Sequence, residues 1–321
     1  MQDIKVSVCT PVYGVEAFIE RCARSLFTQS YKNIEYIFVN DCTPDRSMEV
    51  LQQVLSDYPE RKDSVKIVNH KTNRGLAAAR QSAISQVTGD YLFHLDSDDY
   101  LEHDAIRLYA ERAMETDADI VVADYQFVSE TGCIPHIDKI PENKTEYVKM
   151  LLARKVSIEV WGRLIRCDLV RNHHLFAPEH ISISEDYVVT PLMAYYANRV
   201  IKVDAVLVNY VRYNPQSTTA NVGRKGLESA VKAMALVESF FTGIPDASVY
   251  AETLLLAKLY NKVTLYALAS YKDYGYIRSL YTDINVWNTA IELKHKIFLT
   301  LASWRFDRFV FSCIHHFREL S

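Results

Sequence analysis

The chain is poor in residues that break secondary structure, with 9 glycines and 9 prolines among 321 residues, and it has no low-complexity tract or internal repeat. With 49% hydrophobic content, this composition describes a globular protein able to bury a large core, with room for one α/β domain and a helical addition. The six cysteines, at 9, 22, 42, 133, 167 and 313, make no Cys-x-x-Cys pair and no metal-finger spacing, and they suit a reducing cytosol. No stretch is long and apolar enough for a spanning helix. Too few residues precede the first apolar strand for the charged and apolar regions of a signal peptide. A formal net charge of −4, with no basic stripe near the candidate site, argues against a nucleic-acid partner. The expected location is cytoplasmic.

Against these absences stands one dense acidic run. Asp96, Asp98 and Asp99 close the apolar stretch Tyr91 to Leu95. Residues alternate in direction along a strand, so Asp96 and Asp98 can project to the same side. Hard oxygen ligands at a strand end suit Mg²⁺ or Mn²⁺ that also grips a diphosphate. An acidic turn capping a helix that begins near His103 is the structural alternative.

The preceding residues supply context. Short β-branched or aromatic runs at Lys5 to Thr10, Tyr36 to Asn40, Val65 to Asn69 and Tyr91 to Leu95 alternate with helical patterns, as in repeated βαβ units. Parallel strands put their carboxyl ends on one edge, where open α/β sheets bind ligands. After the first run, Thr10-Pro11-Val12-Tyr13-Gly14 precedes an amphipathic helix from about Val15 to Gln29. After the second, Thr43 is the expected N-cap and Pro44 the first helical residue, which leaves Asp41 spare. Asn73-Arg74-Gly75 leads into the helix that carries Arg80.

Jointly these residues resemble the family 2 glycosyltransferases: Val8 to Tyr13, Val39-Asn40-Asp41, Asn73-Arg74-Gly75 with Ala79-Arg80, Gly89-Asp90-Tyr91 and Leu95 to Asp99. The resemblance is dense over roughly the first 125 residues and thins towards 220. It implies a GT-A fold (Rossmann-like, mainly parallel sheet with flanking helices), a nucleotide-diphospho-sugar donor, a divalent metal and inversion at the anomeric carbon. Carried over by position, Pro11, Val12 and Tyr13 would frame the base. Asp41 would accept from its N–H edge, which suits the uracil of a UDP-sugar or a thymine. Asp96 would hold the ribose or a metal-bound water, Asp98 would ligate the metal, and Asp99 would support it or cap. Arg80 would lie near the diphosphate, beside Gln81 where the family more often has Asn. Asn73, Arg74 and Gly75 read as a donor contact or as a structural turn.

An inverting transfer needs a base for the attacking hydroxyl. Glu185-Asp186 opens the apolar-periodic segment Tyr187 to Tyr196. Ser182 and Glu185 have capping-box spacing, which leaves Asp186 without a structural task, and the family's Glu-Asp pair implies Asp186 as the base. Trp161-Gly162-Arg163-Leu164-Ile165-Arg166 resembles the family's Trp-Asn-Lys-Leu-Tyr-Arg stretch. Trp161 reads as a sugar-stacking floor or a core residue, and with Glu185 it is a candidate acceptor contact. Arg212, ahead of Asn214-Pro215-Gln216-Ser217-Thr218, is a second candidate diphosphate ligand or part of a solvated turn.

The expected organisation is a catalytic domain over 1–220, with a donor half (1–125) and an acceptor half (126–220), and a helical region over 221–321. Within the latter, helices are expected from Lys225 to Phe240 and Ala251 to Tyr271. A terminal amphipathic helix over Ile297 to Phe317 would align Leu299, Ala302, Phe306, Phe309, Cys313 and Phe317. From Lys294 onward five basic residues (294, 296, 305, 308, 318) against two acids (307, 319) give +3. Such a helix could pack on its neighbours, on a second subunit, or on the inner face of an anionic membrane carrying a lipid-linked acceptor.

The expected activity is transfer of one sugar to a glycan or lipid-linked acceptor of a bacterial surface polysaccharide. No Gln-x-x-Arg-Trp motif points to a processive synthase. A sugar nucleotidyltransferase would need a Gly-rich basic loop after Thr10, and none is there. A non-catalytic sugar-nucleotide-binding scaffold would not need Asp41, Asp96, Asp98 and Asp186 together.

Overall fold

A computed structural model describes residues 3–214, 222–308 and 310–312. Strands β1 (Val6–Val12), β2 (Ile34–Asn40), β3 (Val65–Asn69) and β4 (Tyr91–His94) form where the apolar runs lie. They pair in parallel in the order β3-β2-β1-β4. Alternation along each strand sorts the side chains to two faces. Val8, Tyr36, Phe38 and Phe93 enter one core, and Cys9, Ile37, Val39 and Leu92 the other. Helices α1 (Ile19–Phe27) and α2 (Ser47–Ser56) cover the first face with Ile19, Leu26, Leu51 and Val54. Helix α3 (Leu76–Ile84) covers the second with Ala77, Ala79 and Ala83.

The chain continues through β5 (Tyr100–Leu101), α4 (Ala105–Thr116), β6 (Ile120–Ser129), β7 (Gly132–His136), α5 (Lys144–Leu152), β8 (Arg163–Arg166), α6 (Cys167–His173), α7 (Glu185–Tyr196) and β9 (Val200–Val211). The sheet runs β3-β2-β1-β4-β8-β6-β9-β5, with β7 beside β6. β8 is antiparallel to both β4 and β6, whereas β6 and β9 are parallel. The α/β class therefore forms as expected, with the parallel strands on the donor side and mixed pairing beyond β4.

Helices α8 (Arg224–Gly243), α9 (Ala251–Leu268), α10 (Tyr274–Ser279) and α11 (Leu293–Ser303) follow. Met234, Val237 and Phe241 of α8 share a core with Tyr147 and Leu151 of α5 and Tyr187 of α7. This helical region therefore braces the helix that begins with Glu185 and Asp186.

Several local expectations need correction. Helix α1 begins at Ile19, not near Val15, because Val15 sits in the preceding turn with its N–H held by Ser47 Oγ at 3.1 Å. Helix α2 begins at Ser47, not Pro44. Asp45 Oδ1 accepts from the Ser47 amide at 3.1 Å, while Thr43 Oγ1 accepts from Gly14 N at 2.9 Å and so ties two strand-end turns together. The capping box of Ser182 with Glu185 does not form. The Ser182 and Ile183 amides donate instead to Ser229 Oγ of α8, at 2.8 and 3.2 Å. Helix α9 stops at Leu268. The continuous helix expected over 297–317 is interrupted after Ser303, where Arg305 takes a left-handed φ of 65°. Leu299 and Ala302 do face the core, whereas Phe306 is exposed. Phe309, Cys313 and Phe317 lie outside the described residues, as do Pro215, Gln216, Ser217 and Thr218.

Candidate active site

Parallel pairing brings four strand ends to one edge: Val12 lies opposite Asn40, Asn40 opposite Asn69, and Cys9 opposite His94. At the end of β1, Pro11 and Val12 are buried and Tyr13 is 48% exposed. Asp41 follows β2 and is not spare. Its Oδ1 accepts from Arg74 N at 2.8 Å and Oδ2 from Gly75 N at 2.7 Å, so it caps the entry to α3. Asn73 Oδ1 takes the same Gly75 amide at 3.0 Å. Gly75 holds φ 86°, a conformation that glycine adopts without a Cβ penalty. The Arg74 side chain turns outward to pair with Glu179.

His70, which sequence reasoning missed, completes this corner. Its Nδ1 lies 2.6 Å from Asp41 Oδ1 and its Nε2 lies 2.8 Å from Ser82 Oγ on α3. A carboxylate only accepts, so Nδ1 carries the proton towards Asp41. The sequence held little signal for this, because the contact joins the residue after β3 to the middle of α3.

Below β4 the acidic run turns back into β5. Asp98 Oδ2 accepts from Asn214 Nδ2 at 2.8 Å, and Asp99 Oδ1 from Val211 N at 2.8 Å. Burial and the Asp96 charge raise the Asp98 carboxyl above its usual range, and burial with Asp98 and Asp96 raises Asp99 further. Among the described residues Asp99 Oδ2 is buried without a hydrogen-bond partner. Arg21 of α1, also missed from sequence, lowers both, and its guanidinium stacks 4.4 Å from the Tyr100 ring centre. Crowded hard oxygens with excess negative charge fit a divalent cation. Among the described residues no three candidate ligands converge on one point. One or two carboxylates with diphosphate oxygens and water would be enough for Mg²⁺.

Arg80 joins this cluster to the second half of the chain. Nη2 donates to Asp96 Oδ1 at 3.0 Å, and Nη1 to Asp186 Oδ1 at 2.5 Å and Glu185 Oε1 at 3.2 Å. Glu185 and Asp186 sit in the first turn of α7, where the helix dipole favours negative charge. Burial pushes both carboxyls upward, with the Asp186 charge adding to the effect on Glu185, while Arg80 pulls both down. Arg80 thus meets three carboxylates, and His94 beside it is held neutral by burial and by the Arg80 charge, down to about 3. A raised carboxylate beside a donor-side cluster can accept a proton from a hydroxyl.

The other candidates are placed differently. Trp161 is 7% exposed, stacked on Tyr210 at 5.1 Å and met edge-on by Tyr125 at 5.0 Å. Burial and stacking on Tyr210 favour the core reading of Trp161 over the sugar floor. Gly162 has φ 67°, and a Cβ there would meet Val208 Cγ2 at 3.2 Å. Arg163 is buried and donates to Tyr147 Oη at 2.7 Å and to the Glu159 carbonyl. Arg212 lies at the far end of β9 with its guanidinium 3.9 Å from the Phe127 ring centre. Gln81 donates to the Ala177 carbonyl.

Comparison with known proteins agrees with this geometry. The profile of the family described as Glycosyl transferase family 2 matches residues 7–163. The uncharacterized glycosyltransferase EpsJ of Bacillus subtilis is 33% identical over 221 residues, covering 67% of this chain and 62% of that protein. Poly(ribitol-phosphate) beta-glucosyltransferase of Bacillus spizizenii is 26% identical over 203 residues, covering 63% of this chain and 31% of the relative. The chain thus spans less than two thirds of the length of either. Among solved structures, residues 1–349 of S. aureus TarS in complex with UDP superpose with a TM-score of 0.67 at 16% identity, covering 99% and 92% of the two chains. That likeness is one of fold, the GT-A arrangement with helices following it.

Proposed function

Residues 7–163 make this chain a family 2 glycosyltransferase, and from that premise we propose that it transfers one sugar, with inversion, from a UDP-sugar to a hydroxyl of a surface glycan or its lipid-linked precursor. The observation that carries the reading is the position of Arg80, whose one guanidinium holds donor-side Asp96 and acceptor-side Asp186 together. Such a cation fixes the base relative to the donor site, so that the activated hydroxyl can attack the anomeric carbon from the face opposite the leaving diphosphate, as a single displacement with inversion requires.

The choice of a uracil-type base over guanine rests on counting lone pairs at Asp41. Oδ1 already accepts from His70 and Arg74 N, and Oδ2 from Gly75 N. With about two acceptor sites per oxygen, one remains. Uracil offers one imide N–H, whereas the Watson–Crick edge of guanine offers donors at two positions. Pro11, Val12 and Tyr13 line the approach to that carboxylate, and Asn73 and Gly75 shape it. The likeness to a TarS structure that holds UDP and to a relative named for poly(ribitol-phosphate) supports the donor and acceptor classes.

Asp98 and Asp96 are the residues that would hold Mg²⁺ or Mn²⁺. Such an ion supplies charge to the departing diphosphate. Asp186 takes the proton from the acceptor hydroxyl, with its affinity raised by burial. Glu185 lies beside Asp186 in the same first turn of α7 and would meet the acceptor with it, whereas Arg212, seated over Phe127, is kept as a second candidate diphosphate ligand on the resemblance alone. The purified chain incubated with UDP-sugars, Mn²⁺ and a glycan acceptor should release UDP and form a product of inverted anomeric configuration by NMR. Release with retention, or no UDP-stabilised melting with or without Mn²⁺, would overturn the proposal.

A further inference from the structure

Helix α11 is apolar on two faces, and the helical core covers one of them. Leu299 and Ala302 are buried there at 5% and 1% exposure. On the opposite side Leu293, Ile297 and Trp304 are 63%, 47% and 67% exposed. With Thr300 they recur at the i, i+4, i+7, i+11 spacing of a single helical stripe. Trp287, 54% exposed, lies against the same stripe, its indole N–H donating to Thr300 Oγ1 at 3.2 Å. Phe306, just past the left-handed residue Arg305, is 53% exposed.

Cations border this surface. Lys294 and Lys296 flank the stripe, with Lys296 Nζ reaching the Trp287 carbonyl at 3.3 Å, and Arg305 and Arg308 follow. Between 287 and 308 these four face two acids, Glu292 and Asp307, a balance of +2 in a chain of −4. Both acids are engaged, Glu292 by Lys294 and Asp307 by Arg278. Among the described residues no helix is long and apolar enough to cross a membrane.

We infer that this stripe is a docking surface for an anionic lipid bilayer, with α11 lying in the plane of the headgroups. An apolar strip with Trp304 at its end and Trp287 against its middle, bordered by lysine and arginine, matches the interface between headgroups and acyl chains. The local positive charge adds attraction to anionic lipid. A second copy packed on the same stripe would oppose cation to cation across a two-fold axis. The surface does not rest on the donor site. Joined to the transferase reading, it places the enzyme where a lipid-linked acceptor would be met.

The test is cosedimentation of the full chain with phosphatidylglycerol–phosphatidylcholine vesicles and with pure phosphatidylcholine, alongside tryptophan fluorescence. Binding to the anionic vesicles, weakened by salt and with a blue-shifted emission, is expected. The double variant Leu293→Ser/Trp304→Ser should lose at least tenfold in partitioning, and Lys294→Glu/Lys296→Glu should lose the preference for anionic lipid. Both variants should keep the wild-type melting shift with UDP, which separates failure of this surface from failure of the donor site. A wild-type chain that stays in the supernatant overturns the inference. So does a Leu293→Ser/Trp304→Ser variant that still sediments, or a dimer that this variant converts to monomer without any lipid binding.

Discussion

Arg80 Nη1 lies 2.5 Å from Asp186 Oδ1 while its Nη2 lies 3.0 Å from Asp96 Oδ1. A flat, forked guanidinium can do this, and a point ammonium cannot. Arg80→Lys is therefore expected to lower kcat on the order of a hundredfold, with the melting temperature falling less than for Arg80→Ala, which leaves three carboxylates without their cation. Steady-state rates and melting curves of the two variants check this, and a fully active Arg80→Lys enzyme would remove Arg80 from the machinery.

Asp186→Asn keeps the shape of the site and deletes its proton acceptor. The expected loss in kcat is about 10²- to 10⁴-fold, with donor binding by calorimetry unchanged. Burial raises the Asp186 carboxyl, so the wild-type enzyme should lose activity as pH falls through a value above the ordinary ~3.9 of an aspartate. A pH–rate profile with its acid limb at or below that ordinary value would contradict the assignment.

His70 holds Asp41 from behind, between Asp41 Oδ1 and Ser82 Oγ. Removing it by His70→Ala frees one lone pair of Asp41 and loosens its carboxylate, so KM for the UDP-sugar should rise about fivefold to tenfold, roughly 1 kcal/mol, at nearly constant kcat. His70→Asn, which can still donate, should recover part of the loss. Equal falls in kcat and kcat/KM would mean a different role.

Glu35 is the structural counterpart. Burial alone would push its carboxyl up, but Ser7 Oγ at 2.6 Å, Thr88 N at 2.6 Å and the ammonium of Lys5 at 3.0 Å hold it down at about 2. A depressed carboxyl contributes stability that is present above its unfolded value and lost as pH falls through the folded one. Glu35→Gln should therefore cost about 2–3 kcal/mol at neutral pH and flatten the stability profile between about pH 4.5 and 2. Urea titrations across that range measure both.

The four parallel strands and the acidic run were legible because period-2 alternation and β-branched runs depend only on near neighbours. β3 spans Val65–Asn69 as its residues indicate. What could not be read were contacts set by long closures. The Ser182–Glu185 spacing invited a cap, but Ser229 of α8 satisfies the amides and frees Glu185 to meet Arg80. Likewise Thr43 looks like an N-cap until Gly14 is brought beside it. Asp41 and Asp186 were both picked out as residues with no local task. The structure supplies neighbours for each, His70 and Arg80, from elements with no sequence signal for the pairing. In the terminal helix the spacing marks the face of Leu299 and Ala302, which the structure packs on the helical core, but it does not mark the open stripe at Leu293, Ile297 and Trp304.

Strand β8 lies between β4 and β6, pairing Phe93 with Leu164 on one side and Val121 with Leu164 on the other. A tetrapeptide from the second half of the chain is thus the keystone of a sheet begun by the first. A chimera that joins residues 1–125 to the latter half of a different transferase would have to import a central strand along with its acceptor loops, and a mismatch at Leu164 would open the sheet beside the acidic run. Exchange of acceptor specificity by recombination should therefore succeed at loops on the sheet edge and fail at the midpoint of the chain.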